Sequence, residues 1–208
     1  GLPLERLAFS CFAGDENASR DTESADLWKS HGVPSNRIAF LGKDDNWWGP
    51  AGQTGPCGPD TEMFYWVDNN EPAPLDFQAT HTDKRWVEIW NDVFMQYNKT
   101  ADSKFEILAK PNVDTGMGLE RTVAVLNGTE VFAIDSFASL IGTIEKLTNK
   151  PYHGNERAMR IMADHIRSAL FIMADQRGVN PSNVGQWYVV RRLLRRAIRY
   201  GRQLGITQ

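Results

Sequence analysis

The segment Val113-Asp114-Thr115-Gly116-Met117-Gly118-Leu119-Glu120-Arg121 decides how this chain is read. Two glycines separated by one residue let the backbone turn tightly and approach a neighbour or ligand closely. An arginine early in the helix that follows can hold a permanently charged donor fork toward a phosphate. Asp114, ahead of the glycines, can receive an ammonium group. A Gly-x-Gly pair alone equally serves to pack a helix on a sheet, so the surrounding sequence has to arbitrate.

Outward from that segment, Trp86 to Asn98 is rich in aromatic and β-branched residues and reads as a long strand. A loop is expected from there to Val113, and a helix from the glycines through Leu126. Further upstream, Leu7–Phe12 reads as a strand, Asp21–His31 as a short helix and Arg37–Leu41 as a strand. Trp47 and Trp48 precede a glycine- and proline-rich section, Gly49 to Pro59. Met63–Val67 then reads as a strand and Asp68–Lys84 as a polar, proline-bearing loop. Downstream, residues 131–147 read as an amphipathic helix that Asn149-Lys150-Pro151 breaks. Met159, Met162, Ala163, Ile166, Leu170 and Met173 then recur at three-four spacing, with Asn155 as N-cap and Gly178 past the end. A last helix carries Val190, Leu193, Leu194, Ala197, Ile198 and Leu204 on one side. Strands with intervening helices, then helices alone, predict an α+β domain over residues 1–150 and a helical one over 151–208.

With 208 residues and 41% hydrophobic composition, the chain can build one large domain or two small ones. No run of eighteen apolar residues is present, so no membrane helix is expected. Gly1 to Arg6 is not a basic segment followed by an apolar core, so a secretory signal is not expected. Cys11 and Cys57 lie far apart, and His31, His81, His153 and His165 are scattered. This predicts a reducing cytoplasm, no disulfide framework and no metal held by protein ligands. Cys57 between Gly-Pro pairs is expected in a tight structural loop rather than as a nucleophile.

Charge is divided along the chain. Residues 1–150 carry 13 basic and 23 acidic side chains, a net of −10, whereas residues 151–208 carry 10 and 3, a net of +7. Arg191, Arg192, Arg195, Arg196, Arg199 and Arg202 fall within twelve residues, spaced mainly at three and four, so they share one side of a helix. No acidic residue is interleaved. Acidic partners from the first part would make this a solvated salt-bridge face. Otherwise the repulsion calls for a polyanion, and RNA phosphate is the favoured partner.

Gly-Leu-Glu-Arg after a strand resembles the third signature motif of the class II aminoacyl-tRNA synthetases, and Asp114–Arg121 resembles their alanine-specific branch. Collinear segments extend the resemblance over nearly the whole chain. Upstream are Thr54–Pro59 (TGPCGP) and Val87–Asn98 (VEIWNDVFMQYN). Downstream are Ala163–Arg167 (ADHIR), Pro181-Ser182-Asn183 and Tyr188–Arg196 (YVVRRLLRR). The resemblance implies the back half of an antiparallel-sheet catalytic domain followed by a helical tRNA-binding region. It implies that Arg121 contacts ATP phosphate, with Gly118 beside it. It implies that Asp114 binds the α-amino group of alanine, with Trp48, Asn91, Val93 and Gly116 around the amino acid. A straight strand sets Asn91 and Val93 on one face, which is consistent. Read without the resemblance, Trp48 could equally be a core aromatic, and Val93 would be core by default. A buried Asn91 would need hydrogen-bond partners.

For the helical end, the resemblance implies recognition of a tRNA acceptor stem with a G·U pair. Asn183, Arg192, Arg195, Arg196 and Arg199 are its candidate contacts. The implied reaction joins alanine and ATP as alanyl-adenylate, with Mg²⁺ accompanying ATP, and passes the alanyl group to tRNA. Class II enzymes also need two earlier motifs, and neither precedes Gly1. The family's editing and oligomerisation domains have no counterpart either. The chain is therefore expected to be inactive alone, with the oligomeric state of a longer protein left open. The competing expectation is a non-catalytic tRNA-binding module on the same scaffold, which would need neither Asp114 nor Arg121.

Overall fold

β1 (Leu7–Phe12) opens a sheet because its apolar residues have two faces to bury. The computed structural model describes residues 1–207, and β1 lies among six strands. The others are β2 (Ile38–Leu41), β3 (Trp47–Trp48), β4 (Gly55–Trp66), β5 (Trp86–Lys99) and β6 (Phe105–Met117). Their order is β2-β1-β4-β5-β6, with β3 paired to β4. Only β1 and β2 run parallel; β1–β4, β3–β4, β4–β5 and β5–β6 are antiparallel. Strands and helices together make the chain α+β.

One face of the sheet is covered by helices. Helix α1 (Thr22–Ser30) starts where the Asp21 carboxylate accepts from the Ser24 amide. Its Ala25 and Trp28 pack with Phe9, Cys11 and Ile38. Helix α3 (Leu119–Asn127) sends Val125 against Tyr65 and Ile89 of the same face. On the opposite face Trp66, Phe77 and Trp86 build a second core with Ala8, Ala39 and Leu41. Phe77 comes from the short helix α2 (Phe77–Thr80), capped by Asp76. The polar stretch 68–84 is thus more than a loop, since it drives one aromatic anchor into the core.

Two strands run longer than the sequence predicts. β4 begins at Gly55, inside the glycine- and proline-rich section, so Cys57 is a fully buried strand residue rather than part of a loop. Proline cannot donate to a strand ladder, which disguises this strand. The register shift between Cys57 and Asp60 accommodates Pro59, whose Cα partner is Trp47 of β3. Gly58 is obligatory, because a Cβ there would sit 1.8 Å from the Phe94 carbonyl oxygen. β6 occupies most of the expected loop before Val113, forming a hairpin with β5 around a turn in which Ser103 has φ 65°.

Contacts divide the chain after Gly128 into two compact units. Helix α4 (Asp135–Thr148) therefore groups with the helical residues, upstream of the boundary expected near Lys150. It packs on α5 (Glu156–Met173) and buries Phe137, Ile141 and Ile144. Asn155 occupies the N-cap position of α5 without a side-chain capping bond. Helix α6 (Tyr188–Leu204) lies along α5, where Val190, Ala169 and Val179 share a core.

Candidate functional site

Directly opposed residues on antiparallel strands point to the same face of a sheet. The register opposes Asp60, Val93 and Asp114 in one row across β4, β5 and β6, and Glu62, Asn91 and Gly116 in the next. Because the rows are two residues apart, all six share one face. Ser10 pairs with Glu62 and faces the same way, on the side away from α1 and α3. Asn91, Val93, Asp114 and Gly116 are therefore brought together, although 21 to 25 residues separate them along the chain. Val93 is buried at the centre, whereas Asp114 and Gly116 are exposed. A Cβ on Gly116 would meet nothing within 4 Å, so the space opposite Asn91 is open.

Arg121 reaches this face from α3. Gly118 precedes the helix, and its amide donates to the Ile89 carbonyl at 3.1 Å, fixing the helix start to β5. The Arg121 chain lies across Gly118, where a Cβ would meet Arg121 Cδ at 3.1 Å. Its Nη1 donates to Glu88 Oε2 at 3.0 Å and to the Glu88 carbonyl at 3.1 Å. Trp48 differs from the core alternative. It is 39% exposed on β3, while Trp47 packs with Phe12, Tyr97 and Phe105.

The same face carries groups that sequence reasoning missed: Asn46, Asp60, Glu62 and Glu88. Asp60 is buried and accepts from Asn46 Nδ2 at 2.9 Å and Asn91 Nδ2 at 3.2 Å. Burial pushes its carboxyl up to about 6, opposed by those two bonds and helped by the Glu88 charge. Burial, Glu88 and Asp60 together push Glu62 up to about 8. The available signal was Asp60 and Glu62 at alternate positions before the strand-like Met63–Val67. The glycine- and proline-rich section ending at Pro59 concealed it. The thiol of Cys57 is raised by burial, which makes it a poor nucleophile.

In the helical unit, all six arginines of α6 are exposed, opposite buried Val190, Ala197, Gly201 and Leu204. Among the described residues none of the six forms an ion pair. Arg192, Arg195, Arg196, Arg199 and Arg202 line a hollow of about 690 Å³ with Ile198. Asn183 is exposed in the irregular segment ahead of α6. Among the described residues no helix is long and apolar enough to cross a membrane.

Residues 1–208 match the model of the family described as tRNA synthetases class II (A). Three relatives, each named alanine–tRNA ligase, illustrate the similarity. The chain is 50% identical to that of Treponema denticola and 48% to that of Borreliella afzelii, with 99% of this chain aligned each time. It is 45% identical over its whole length to that of an Anaeromyxobacter species. It spans 35%, 35% and 24% of those three proteins, so it corresponds to about a third or less of each. A match along every residue, on a fold with the sheet and motif helix just described, makes the chain a member of the class II tRNA synthetases.

Proposed function

We propose that the chain is part of a ligase that attaches alanine to its tRNA, with residues 1–150 serving adenylate formation and 151–208 serving tRNA recognition. The observation that carries this reading is the shared face of Asn91, Val93, Asp114 and Gly116, with Arg121 at its edge. An ammonium group needs acceptors, which Asp114 and the Asn91 amide oxygen supply. A methyl side chain needs a small apolar surface, which Val93 and the open space at Gly116 supply, with Trp48 as a wall.

The alanine carboxylate would attack the α-phosphorus of ATP, forming the acyl phosphate bond as pyrophosphate leaves. The terminal ribose hydroxyl of tRNA would then attack the alanyl carbonyl and release AMP. Such a reaction needs positioning and charge stabilisation rather than a protein nucleophile. Arg121 is the phosphate contact beside Gly118, its exposed fork suiting phosphate oxygens. Mg²⁺ would arrive on the ATP phosphates. Among the described residues no group of three or more His, Cys, Asp or Glu is assembled to hold a metal unaided.

The arginines of α6, chiefly Arg192, Arg195, Arg196 and Arg199, would neutralise acceptor-stem phosphates, and Asn183 would read a base edge. A tRNA-binding module without catalysis would explain the arginines but has no use for Asp114 or Arg121. The deciding experiment is ATP–pyrophosphate exchange by the whole enzyme containing this chain, with each amino acid in turn. Exchange supported by alanine is expected. Its absence, with tRNA binding intact, would leave the binding-module reading in its place.

A further inference from the structure

A relay of amides and acids on the site face has no part in the mechanism so far. Ser10, Asn46 and Asp60 are all buried. Asn46 Nδ2 donates to Ser10 Oγ at 2.8 Å and to Asp60 Oδ1 at 2.9 Å. The second oxygen of the same carboxylate, Oδ2, accepts from Asn91 Nδ2 at 3.2 Å. Each oxygen of Asp60 thus holds a different asparagine. Among the described residues Asn46 Oδ1 is left buried without a partner, so the demand of the Asp60 carboxylate for donors decides how that amide turns.

The same demand decides Asn91. An asparagine amide presents a donor on one side and an acceptor of nearly equal size on the other. Asp60 lies on β4, and its Oδ2 accepts from the Asn91 side chain. A carboxylate only accepts, so Asp60 holds the amide nitrogen on the β4 side. The oxygen then faces the β6 side, where Gly116 opposes Asn91 and Asp114 lies two residues earlier. Were the amide reversed, its NH₂ group would meet an incoming ammonium donor to donor.

We propose that Asp60 is a positioning residue, which by fixing the Asn91 amide makes Asn91 an acceptor for the alanine ammonium beside Asp114. This rests on the reading of Asn91 and Asp114 as the alanine site. Asp60 itself touches no substrate in this arrangement. Although burial pushes Asp60 up to about 6, it remains chiefly a carboxylate at neutral pH and can serve both amides.

The test is Asp60→Asn in the whole enzyme, followed by steady-state pyrophosphate exchange. The substitution preserves size but turns one acceptor into a donor, so one of the two asparagines loses its bond. The KM for alanine is expected to rise about tenfold or more, with the KM for ATP unchanged. The double variant Asn46→Asp/Asp60→Asn moves the charge one place along the relay. The amide at position 60 then donates to the new carboxylate and returns its oxygen to Asn91, so most of the alanine affinity should come back. A merely structural role would not give that rescue. A wild-type alanine KM in Asp60→Asn, equal increases for alanine and ATP, or a double variant as impaired as the single one would overturn the proposal. If the single variant does not fold, the double variant decides alone: a near-wild-type alanine KM supports the relay, and a raised one overturns it. A wild-type enzyme without alanine-dependent exchange would be a different failure, that of the site reading beneath it.

Discussion

Arg121 Nη1 lies 3.0 Å from Glu88 Oε2, so the guanidinium on the first turn of α3 is tethered to the strand beside the site face. The two side chains are 50% and 36% exposed, so the pair itself stabilises the fold by only about 0–1 kcal/mol. A phosphate can therefore take the guanidinium over at small cost. Arg121→Ala is expected to leave the melting temperature nearly unchanged while slowing adenylate formation about ten- to a hundredfold. Arg121→Lys keeps the charge without the fork and should recover only part. Wild-type pyrophosphate exchange in Arg121→Ala would remove this residue from the site.

Asp114 should affect the other substrate. Its Oδ1 accepts from the adjacent Thr115 amide at 2.9 Å, and the side chain is otherwise exposed. Asp114→Ala is expected to raise the alanine KM about tenfold or more while moving the ATP KM little, because only the ammonium loses a charged partner. Equal effects on both substrates would argue that Asp114 supports the strand rather than the amino acid.

Gly116 separates folding from function. A Cβ there meets open space, and the glycine has no positive φ to preserve. Gly116→Ala should therefore be neutral or stabilising, by up to about 1 kcal/mol. The added methyl would project opposite Asn91, into the room proposed for the alanine side chain. A rise in alanine KM at unchanged or higher thermal stability is expected. If denaturation and exchange are both unchanged, the amino acid binds elsewhere.

The buried acids set a pH trend for stability. Asp60 and Glu62 have folded-state values of about 6 and about 8, above their ordinary 3.8 and 4.5, first because burial disfavours the charged forms. The folded chain thus holds more protons than the unfolded chain between roughly pH 4 and 8. The stability these groups contribute is complete below about pH 4 and is lost as pH rises through 6 and 8. Thermal melts should show a falling midpoint from pH 5 to 8.5, and Glu62→Gln should flatten the upper part of that fall. An unchanged slope in Glu62→Gln would show that Glu62 is not the titrating group.

Salt titration addresses α6. Among the described residues no carboxylate pairs with Arg195 or Arg199, so both are available to phosphate. Replacing both with Gln in the whole enzyme should flatten the dependence of tRNA binding on salt by about one to two units. Changing Asn183 should instead reduce discrimination between a G·U and a G·C acceptor stem, since base-edge contacts specify while phosphate contacts position. A wild-type salt slope in the arginine variant would make the stripe a merely solvated face. Equal binding of both stems by the wild type would remove base reading by Asn183.

The sequence revealed the elements more readily than their register. β1, α1, α5 and α6 were legible because their periodicity is local, and the resemblance brought Asn91, Val93, Asp114 and Gly116 under one heading. It could not show them as two adjacent rows, because cross-strand pairing depends on where bulges fall. The prolines at 56 and 59 hid the first half of β4, and with it Asp60 as the partner of Asn91. β6 is hard to read locally because Pro111, which cannot donate to a ladder, falls inside it. Helix α4 was legible as a helix, but its allegiance depends on packing with α5, which no local pattern reports.

The two register shifts between β4 and β5, at Cys57/Asp60 and at Met63/Phe64, leave Asp60 to Met63 as a short block of regular pairing. A bulge absorbs a residue locally and bends the strand, so it works like an expansion joint. A slip of one residue would normally turn every side chain on the strand to the opposite face. Here a slip beyond either joint can be taken up before it reaches the block. Substitutions and length changes in the flanking hairpin or in the 68–84 segment can then accumulate while Asp60 and Glu62 stay turned toward Val93 and Asn91. The irregularities that obscure this strand in the sequence would in that way protect its chemistry from drift elsewhere in the sheet.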